Sequence, residues 1–327
     1  MKDLKPFIPR RRLERGHVMT VWCWAARRDV ILPEPEARLF QVTPDTQVLA
    51  HCYWQPDRRH CQTLLALHGL EGSSAAHYMR GLAAKALRAG FNAVLLNQRN
   101  CGGTENLGPG LYHSGLIDDP AFVIRELGST DGLDRVVVAG YSLGGNLALR
   151  LAGSHAPADL PSLKAVCAVS PVLELEACVR ALERGSNFVY QWNFVRNLKA
   201  RMRRKNAGFP GRFDLSRLAR VRTVRQFDAA YTAPFFGFGS AEDYYHRASA
   251  LRVAEHISIP ALVITAEDDP FVPVAPFRDP ALTGNPNITL VVTKHGGHCG
   301  FLAESTGAAD DGYWAEHSIV EFARANA

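Results

Sequence analysis

Two apolar patterns alternate along this chain, short unbroken runs and positions at helical spacing. Cys61 to Leu67 (CQTLLAL), Phe91 to Leu96 (FNAVLL), Arg135 to Ala139 (RVVVA) and Leu163 to Val169 (LKAVCAV) are largely apolar, as expected of strands buried on both faces. Between the first two, Met79, Leu82, Ala83, Ala86 and Leu87 recur at i, i+3, i+4, i+7 and i+8. That is one face of a helix, which Gly90 ends. A further helix is expected near Asp119 to Leu127, after a long Gly-rich loop from Asn97 to Gly115, and Leu147 to Ala152 (LALRLA) is made of good helix formers. The alternation predicts an α/β fold with a mostly parallel central sheet and helices on both faces. Ahead of it, Thr46 to Trp54 alternates like an antiparallel strand with one wet face.

The rhythm breaks over residues 172–257, which carry helical patterns and no strand pattern. Phe188, Trp192, Val195 and Leu198 are spaced to share one helix face. The sheet resumes with Ile259 to Thr265 and Ile288 to Thr293, and an amphipathic helix runs through Trp314 to Ala325. The expected organisation is an N-terminal arm (1–36) packed on the core, a core made of 37–171 and 258–327, and a helical cap insertion (172–257).

Composition narrows the class. With 47% hydrophobic and 21% charged residues in 327, the chain reads as a soluble globular protein. A net charge of +5, from 37 basic and 32 acidic residues, gives no reason to expect nucleic acid. The seven cysteines are scattered and form no C-x-x-C pair, so neither a zinc site nor a disulfide framework is expected, and the compartment is read as reducing and cytoplasmic. Walker A and dinucleotide fingerprints are absent, and no cofactor or metal is expected. Val18 to Ala26 is far shorter than the roughly 20 residues of a membrane span.

The chemistry centres on Gly140-Tyr141-Ser142-Leu143-Gly144-Gly145-Asn146. A G-x-S-x-G pattern between a strand and a helix predicts a nucleophile elbow, with Ser142 held on a strained turn above the sheet edge. A serine hydroxyl needs a base, and the base needs a group that fixes its tautomer. In such a layout the acid and then the histidine follow in loops at later strand ends. Asp269, in Glu267-Asp268-Asp269-Pro270 after the Ile259–Thr265 strand, is taken as the acid, with Asp268 read as a turn-capping carboxylate. His298, in the Gly-rich loop Lys294 to Gly300, is taken as the base, and His295 is read as structural. The backbone N–H groups of Leu143 and Leu70 are the expected oxyanion donors, and His68 is expected to brace the loop that carries Leu70.

With these residues in place, the sequence resembles α/β-hydrolases of the YheT-like group, bacterial relatives of the ABHD hydrolases. The resemblance rests on His68-Gly69-Leu70-Glu71-Gly72-Ser73, Tyr112-His113-Ser114-Gly115, Gly140 to Asn146, Asp243-Tyr244-Tyr245, Asp268-Asp269-Pro270-Phe271 and Gly296-Gly297-His298. It implies carboxylic-ester hydrolysis by a Ser142–His298–Asp269 triad, with lipid-like esters such as acylglycerols among the substrates. Where relatives carry an Arg-Gly pair, this chain has Gln98 to Gly103, a departure beside the site that bears on substrate preference. The same triad would serve an acyltransferase or a peptidase, and a non-catalytic lipid-binding or partner-binding module on this fold is the reading from another class. The cap's aromatic end (Tyr231, Phe235, Phe236, Phe238, Tyr244, Tyr245) is expected to line an apolar acyl pocket. Its basic cluster (Arg196, Lys199, Arg201, Arg203, Arg204, Lys205), with the arm's Arg10, Arg11, Arg12 and Arg15, is expected either to be solvated or to meet membranes peripherally.

Overall fold

In the computed structural model, which describes residues 5–305, 307 and 310–326, the apolar runs assemble into one sheet. Its strands are β1 (Glu36–Thr43), β2 (Thr46–Tyr53), β3 (Thr63–Leu67), β4 (Asn92–Leu96), β5 (Val136–Tyr141), β6 (Leu163–Val169), β7 (Ala261–Ala266) and β8 (Ile288–Thr293). They lie in the order β1-β2-β4-β3-β5-β6-β7-β8. β2 pairs antiparallel with β1 and β4, and every other pairing is parallel. β1 carries no clear apolar run because it is an edge strand with only Phe40 fully buried.

Side-chain alternation sends the two halves of each inner strand to opposite cores. Leu65, Leu67, Val94, Val136 and Val138 face α3 (Asp118–Ser129) and α4 (Leu143–Ser154). Leu64, Ala66, Ala93, Val137 and Ala139 face α2 (His77–Arg88) and the C-terminal helix Trp314–Asn326. Met79, Leu82, Ala83 and Ala86, all fully buried, form the predicted α2 stripe. Each such aliphatic side chain contributes about 1.5–3 kcal/mol on burial, or less for alanine.

The segment before β1 contains a helix that the hydrophobic pattern does not announce, α1 (Gly16–Ala25). It buries Gly16, Met19, Thr20 and Cys23 and turns Val18, Val21, Trp22 and Trp24 outward. The chain leaving it is fastened by Arg28, which donates to both carboxylate oxygens of Glu316 (2.6 and 2.8 Å) and lies 3.5 Å from the centre of the Tyr313 ring. Lys85 of α2 reaches the same carboxylate at 2.7 Å.

Between β6 and β7 the described chain is helices and turns, the longest being α5 (Leu175–Leu182), α6 (Phe188–Gly208) and α7 (Ala241–Ala248). Here two expectations are corrected. The buried stripe of α6 runs through Gln191, Val195, Leu198, Met202 and Lys205, at i, i+4, i+7, i+11 and i+14. Phe188 and Trp192 stand off that stripe and are 67% and 52% exposed. The basic cluster is also divided. Arg201 and Lys205 turn inward, Lys205 donating to the carbonyl of Glu105 at 2.9 Å, while Arg196 and Arg203 face solvent.

One buried amide ties this segment to the sheet. Asn146 of α4 donates to the carbonyls of Ser114 (2.8 Å) and Ala248 (2.9 Å), and its oxygen accepts from the Ala250 N–H (2.7 Å). Asn146→Ala would strand three buried backbone groups, each worth about 1–3 kcal/mol when unsatisfied. We expect a loss of about 3 kcal/mol or more, read as a lower midpoint in urea unfolding, whereas Asn106→Ala, at an exposed position, leaves the midpoint unchanged.

Candidate active site

Ser142 sits between β5 and α4 with φ 55° and ψ −116°, a conformation that costs a non-glycine residue of order 1–3 kcal/mol. The glycines around it make that turn possible. A Cβ on Gly140 would lie 2.0 Å from the Gly144 oxygen, and one on Gly144 would lie 2.3 Å from the Leu67 oxygen of β3. Strand, helix and neighbouring strand therefore touch backbone to backbone, and the serine at the apex is left projecting.

The loop after β3 lies directly over this turn. A Cβ on Gly69 would stand 3.2 Å from the Ser142 Cβ, which puts the Gly69–Leu70 backbone beside the hydroxyl. His68 is fully buried and braces the loop: its Nδ1 meets the Gly69 carbonyl at 2.8 Å, and its Nε2 accepts the Gln98 N–H at 3.1 Å. Burial lowers its pKa to about 4, so the imidazole is neutral there. Three further groups hold the loop. The Gly69 N–H donates to the Tyr78 hydroxyl (3.1 Å), the Glu71 N–H donates to the Tyr112 hydroxyl (3.3 Å), and Arg201 of α6 forms a buried ion pair with Glu71. The Leu143 N–H is the first of α4, where a helix leaves its amides without internal partners.

The loops after β7 and β8 bring the predicted acid and imidazole together. His298 Nδ1 and Asp269 Oδ2 are 2.8 Å apart, with the carboxylate fully buried. The other carboxylate oxygen accepts from the N–H groups of Phe271 (3.0 Å) and Val272 (2.8 Å). Burial by itself would lower the His298 pKa, but the Asp269 charge, aided by Cys299, overcomes it and raises the value above the ordinary range. The neighbouring Asp268 does something else: it accepts the Gly297 N–H at 2.8 Å and lies 3.6 Å from His295.

Two cavities meet at Ser142, and Leu70, Phe194 and Phe271 border both of them. The smaller one, about 80 Å³, runs under the helices between β6 and β7 among Val172, Leu175, Val179, Leu182 and Leu198, and Leu143 reaches it. Of the six aromatic residues expected there, only Tyr244 and Tyr245 line it, because Phe236 and Phe238 pack on His113, Tyr231 on Phe227 and Phe235 on Phe213. The wider one, about 460 Å³, contains His298 and opens between α1 and α6.

Spacing gave no sign of α1's part in this site. The His298 N–H donates to Thr20 Oγ1 at 2.8 Å, and that hydroxyl donates on to the Gly16 carbonyl at 2.7 Å. Gly16 lies so close that a Cβ would fall 1.7 Å from the Asp268 oxygen. The arm is thus part of the wall that holds the histidine loop. Arg201 was likewise legible only as one of a run of basic residues.

Comparisons with known proteins agree with this architecture. A family model described as alpha/beta hydrolase fold matches residues 62–305. The chain is 35% identical over 298 residues to the putative esterase YheT of Escherichia coli, covering 90% of this chain and 87% of that protein. It is 28% identical over 315 residues to phospholipase ABHD3 of Bos taurus, covering 91% and 74% of the two chains. Among solved structures it resembles the Pyrococcus furiosus esterase Pf2001, with a TM-score of 0.57 at 18% identity, covering 89% of this chain and 93% of that one.

Thr20→Val keeps the volume of the side chain and removes the acceptor for the His298 amide. We expect exchange of that amide to quicken roughly 5- to 10-fold, the equivalent of one hydrogen bond. Amides of β5 should not change, and hydrogen exchange followed by NMR reads both.

Proposed function

The chain belongs to the alpha/beta hydrolase fold family, and on that premise we propose that it is a serine hydrolase of carboxylic esters. The observation that carries this reading is the combination at one cavity of a strained, glycine-flanked Ser142 and a His298 whose other face is held by a buried carboxylate. Its relatives are named as an esterase, a phospholipase and, in Saccharomyces cerevisiae, a monoacylglycerol lipase, which supports esters with a lipid-like acyl part.

In the proposed reaction Ser142 Oγ attacks the ester carbonyl while His298 Nε2 takes its proton. Asp269 keeps the opposite nitrogen protonated and stabilises the imidazolium that forms. This role fits the upward pKa shift of His298, because the site is built to favour the charged ring. The Leu70 and Leu143 amides receive the oxyanion, each such donor being worth about 10²–10³ in rate. Collapse expels the alcohol, which leaves with the proton from His298, and the acyl group remains on Ser142. Water then attacks with His298 as base, releasing the acid and restoring the hydroxyl. The smaller cavity, lined mainly by apolar side chains, suits the acyl chain. The wider cavity, with Glu71, Ser73, His77 and Asn193 on its wall, suits the alcohol part.

Ser142→Ala should abolish hydrolysis of p-nitrophenyl esters, with kcat falling by about 10⁴ or more, and should abolish labelling by a fluorophosphonate. Retained turnover in that variant would refute the assignment. His298 must be unprotonated to act as base, so activity is lost as pH falls through its raised pKa. The acid limb of kcat/KM is therefore expected above about 6.5, the ordinary histidine value. Asp269→Asn removes the charge that raises it, so the limb should move down while kcat drops about 10⁴-fold.

A further inference from the structure

The mouth of the wider cavity is bordered by side chains that a protein surface ordinarily hides. On α1, Val18, Val21, Trp22 and Trp24 are 41%, 46%, 51% and 69% exposed, and on α6, Phe188, Val189 and Trp192 are 67%, 66% and 52% exposed. The two helices adjoin. His17 Nδ1 lies 3.1 Å from the Tyr190 hydroxyl with the two rings stacked, and Val21 and Trp24 face Val189 and Asn193 across the opening. Val21, Trp24 and Val189 line the entrance to the cavity of Ser142, and Val18, Trp22, Phe188 and Trp192 extend the exposed apolar surface along the same two helices, a concentration that marks an interaction surface.

Charge identifies what the rim meets. α1 carries no Asp, Glu, Lys or Arg, and α6 carries six basic residues and no acidic one. At 100° per residue, the outward face of α6 continues from Phe188 and Trp192 through Arg196 and Lys199 to Arg203. The Arg196 guanidinium lies 4.8 Å from the centre of the Trp192 ring. Tryptophans at an apolar rim with lysine and arginine beside them are the composition of a helix lying in an anionic lipid interface. No helix among the described residues is long and apolar enough to cross a membrane, so the contact is lateral.

We propose that α1 and the outward face of α6 form a docking face for an anionic lipid surface, seating the cavity mouth where an ester could pass from the lipid to Ser142. That last consequence rests on the hydrolase reading, whereas the docking itself does not. The surface is built into the site at a second point, because α1 also holds the His298 amide through Thr20.

The test is co-sedimentation of the full chain with vesicles of phosphatidylcholine alone or of phosphatidylcholine mixed with phosphatidylglycerol. Wild type and Ser142→Ala should both pellet with the anionic vesicles, markedly less with the neutral ones, and less again in high salt. The variant Trp22→Ser/Phe188→Ser/Trp192→Ser changes none of the residues lining the cavity. It should bind anionic vesicles at least tenfold more weakly, with turnover of soluble p-nitrophenyl acetate unchanged. Arg196→Glu/Arg203→Glu should remove the preference for anionic lipid. Failure of wild type to pellet, or equal binding by the triple variant, overturns the proposal. So does light scattering that shows the same residues holding two copies of the chain together. If vesicles bind but no ester is cleaved, it is the hydrolase reading that fails.

Discussion

The site depends first on a steric constraint, the contact of bare backbone where β5 turns into α4 beneath the end of β3. Gly140 lies against Gly144, and Gly144 against the carbonyl of Leu67. No side chain fits at that crossing, so the turn is as tight as the chain allows and Ser142 is held at φ 55°. The strain is sustained because the flanking elements are anchored in both cores of the sheet. From the same crossing come the free amide of Leu143 and the position of the Gly69–Leu70 loop over the hydroxyl. The proposed nucleophile and the amides proposed to receive the oxyanion are then properties of one packed junction.

The second half of the site is held from a different direction. β7 and β8 end side by side, and their loops carry Asp269 and His298. What keeps the His298 loop in place comes from the other end of the chain, the Thr20 hydroxyl and the close pack of Gly16 against Asp268. α6 plays a comparable part for the loop after β3 through the ion pair of Arg201 and Glu71. In a buried pair of this kind, the cost of taking both charges out of water offsets much of their attraction. Both loops are therefore braced by elements outside the parallel sheet, and both bracing helices border the cavity mouth. α1 thus both lines the wider cavity and holds the His298 amide.

Much of this was legible in the residue order because its causes are local. Unbroken apolar runs report strands buried on two faces, and the spacing from Met79 to Leu87 reports α2, since each depends only on neighbours along the chain. The glycines at 140 and 144 advertise a crossing that tolerates no Cβ. The order of serine, carboxylate and histidine at successive strand ends restricts the candidates to a few residues. β1 was illegible because an edge strand with one buried residue has no pattern to show. α6 was misjudged at Phe188 and Trp192 because periodicity gives a face and not the neighbour that covers it.

The sequence by itself determined the parallel α/β architecture, the elbow at Ser142 and the short set of groups able to serve it. Each follows from side-chain volume and spacing over a few residues. The tertiary structure alone decided which basic residues of α6 are buried and what supports the His298 loop. The bond from His298 to Thr20 spans 278 residues. No periodicity records a contact made at that separation; it exists because α1 packs on the loops after β7 and β8, at the opposite edge of the sheet from β1.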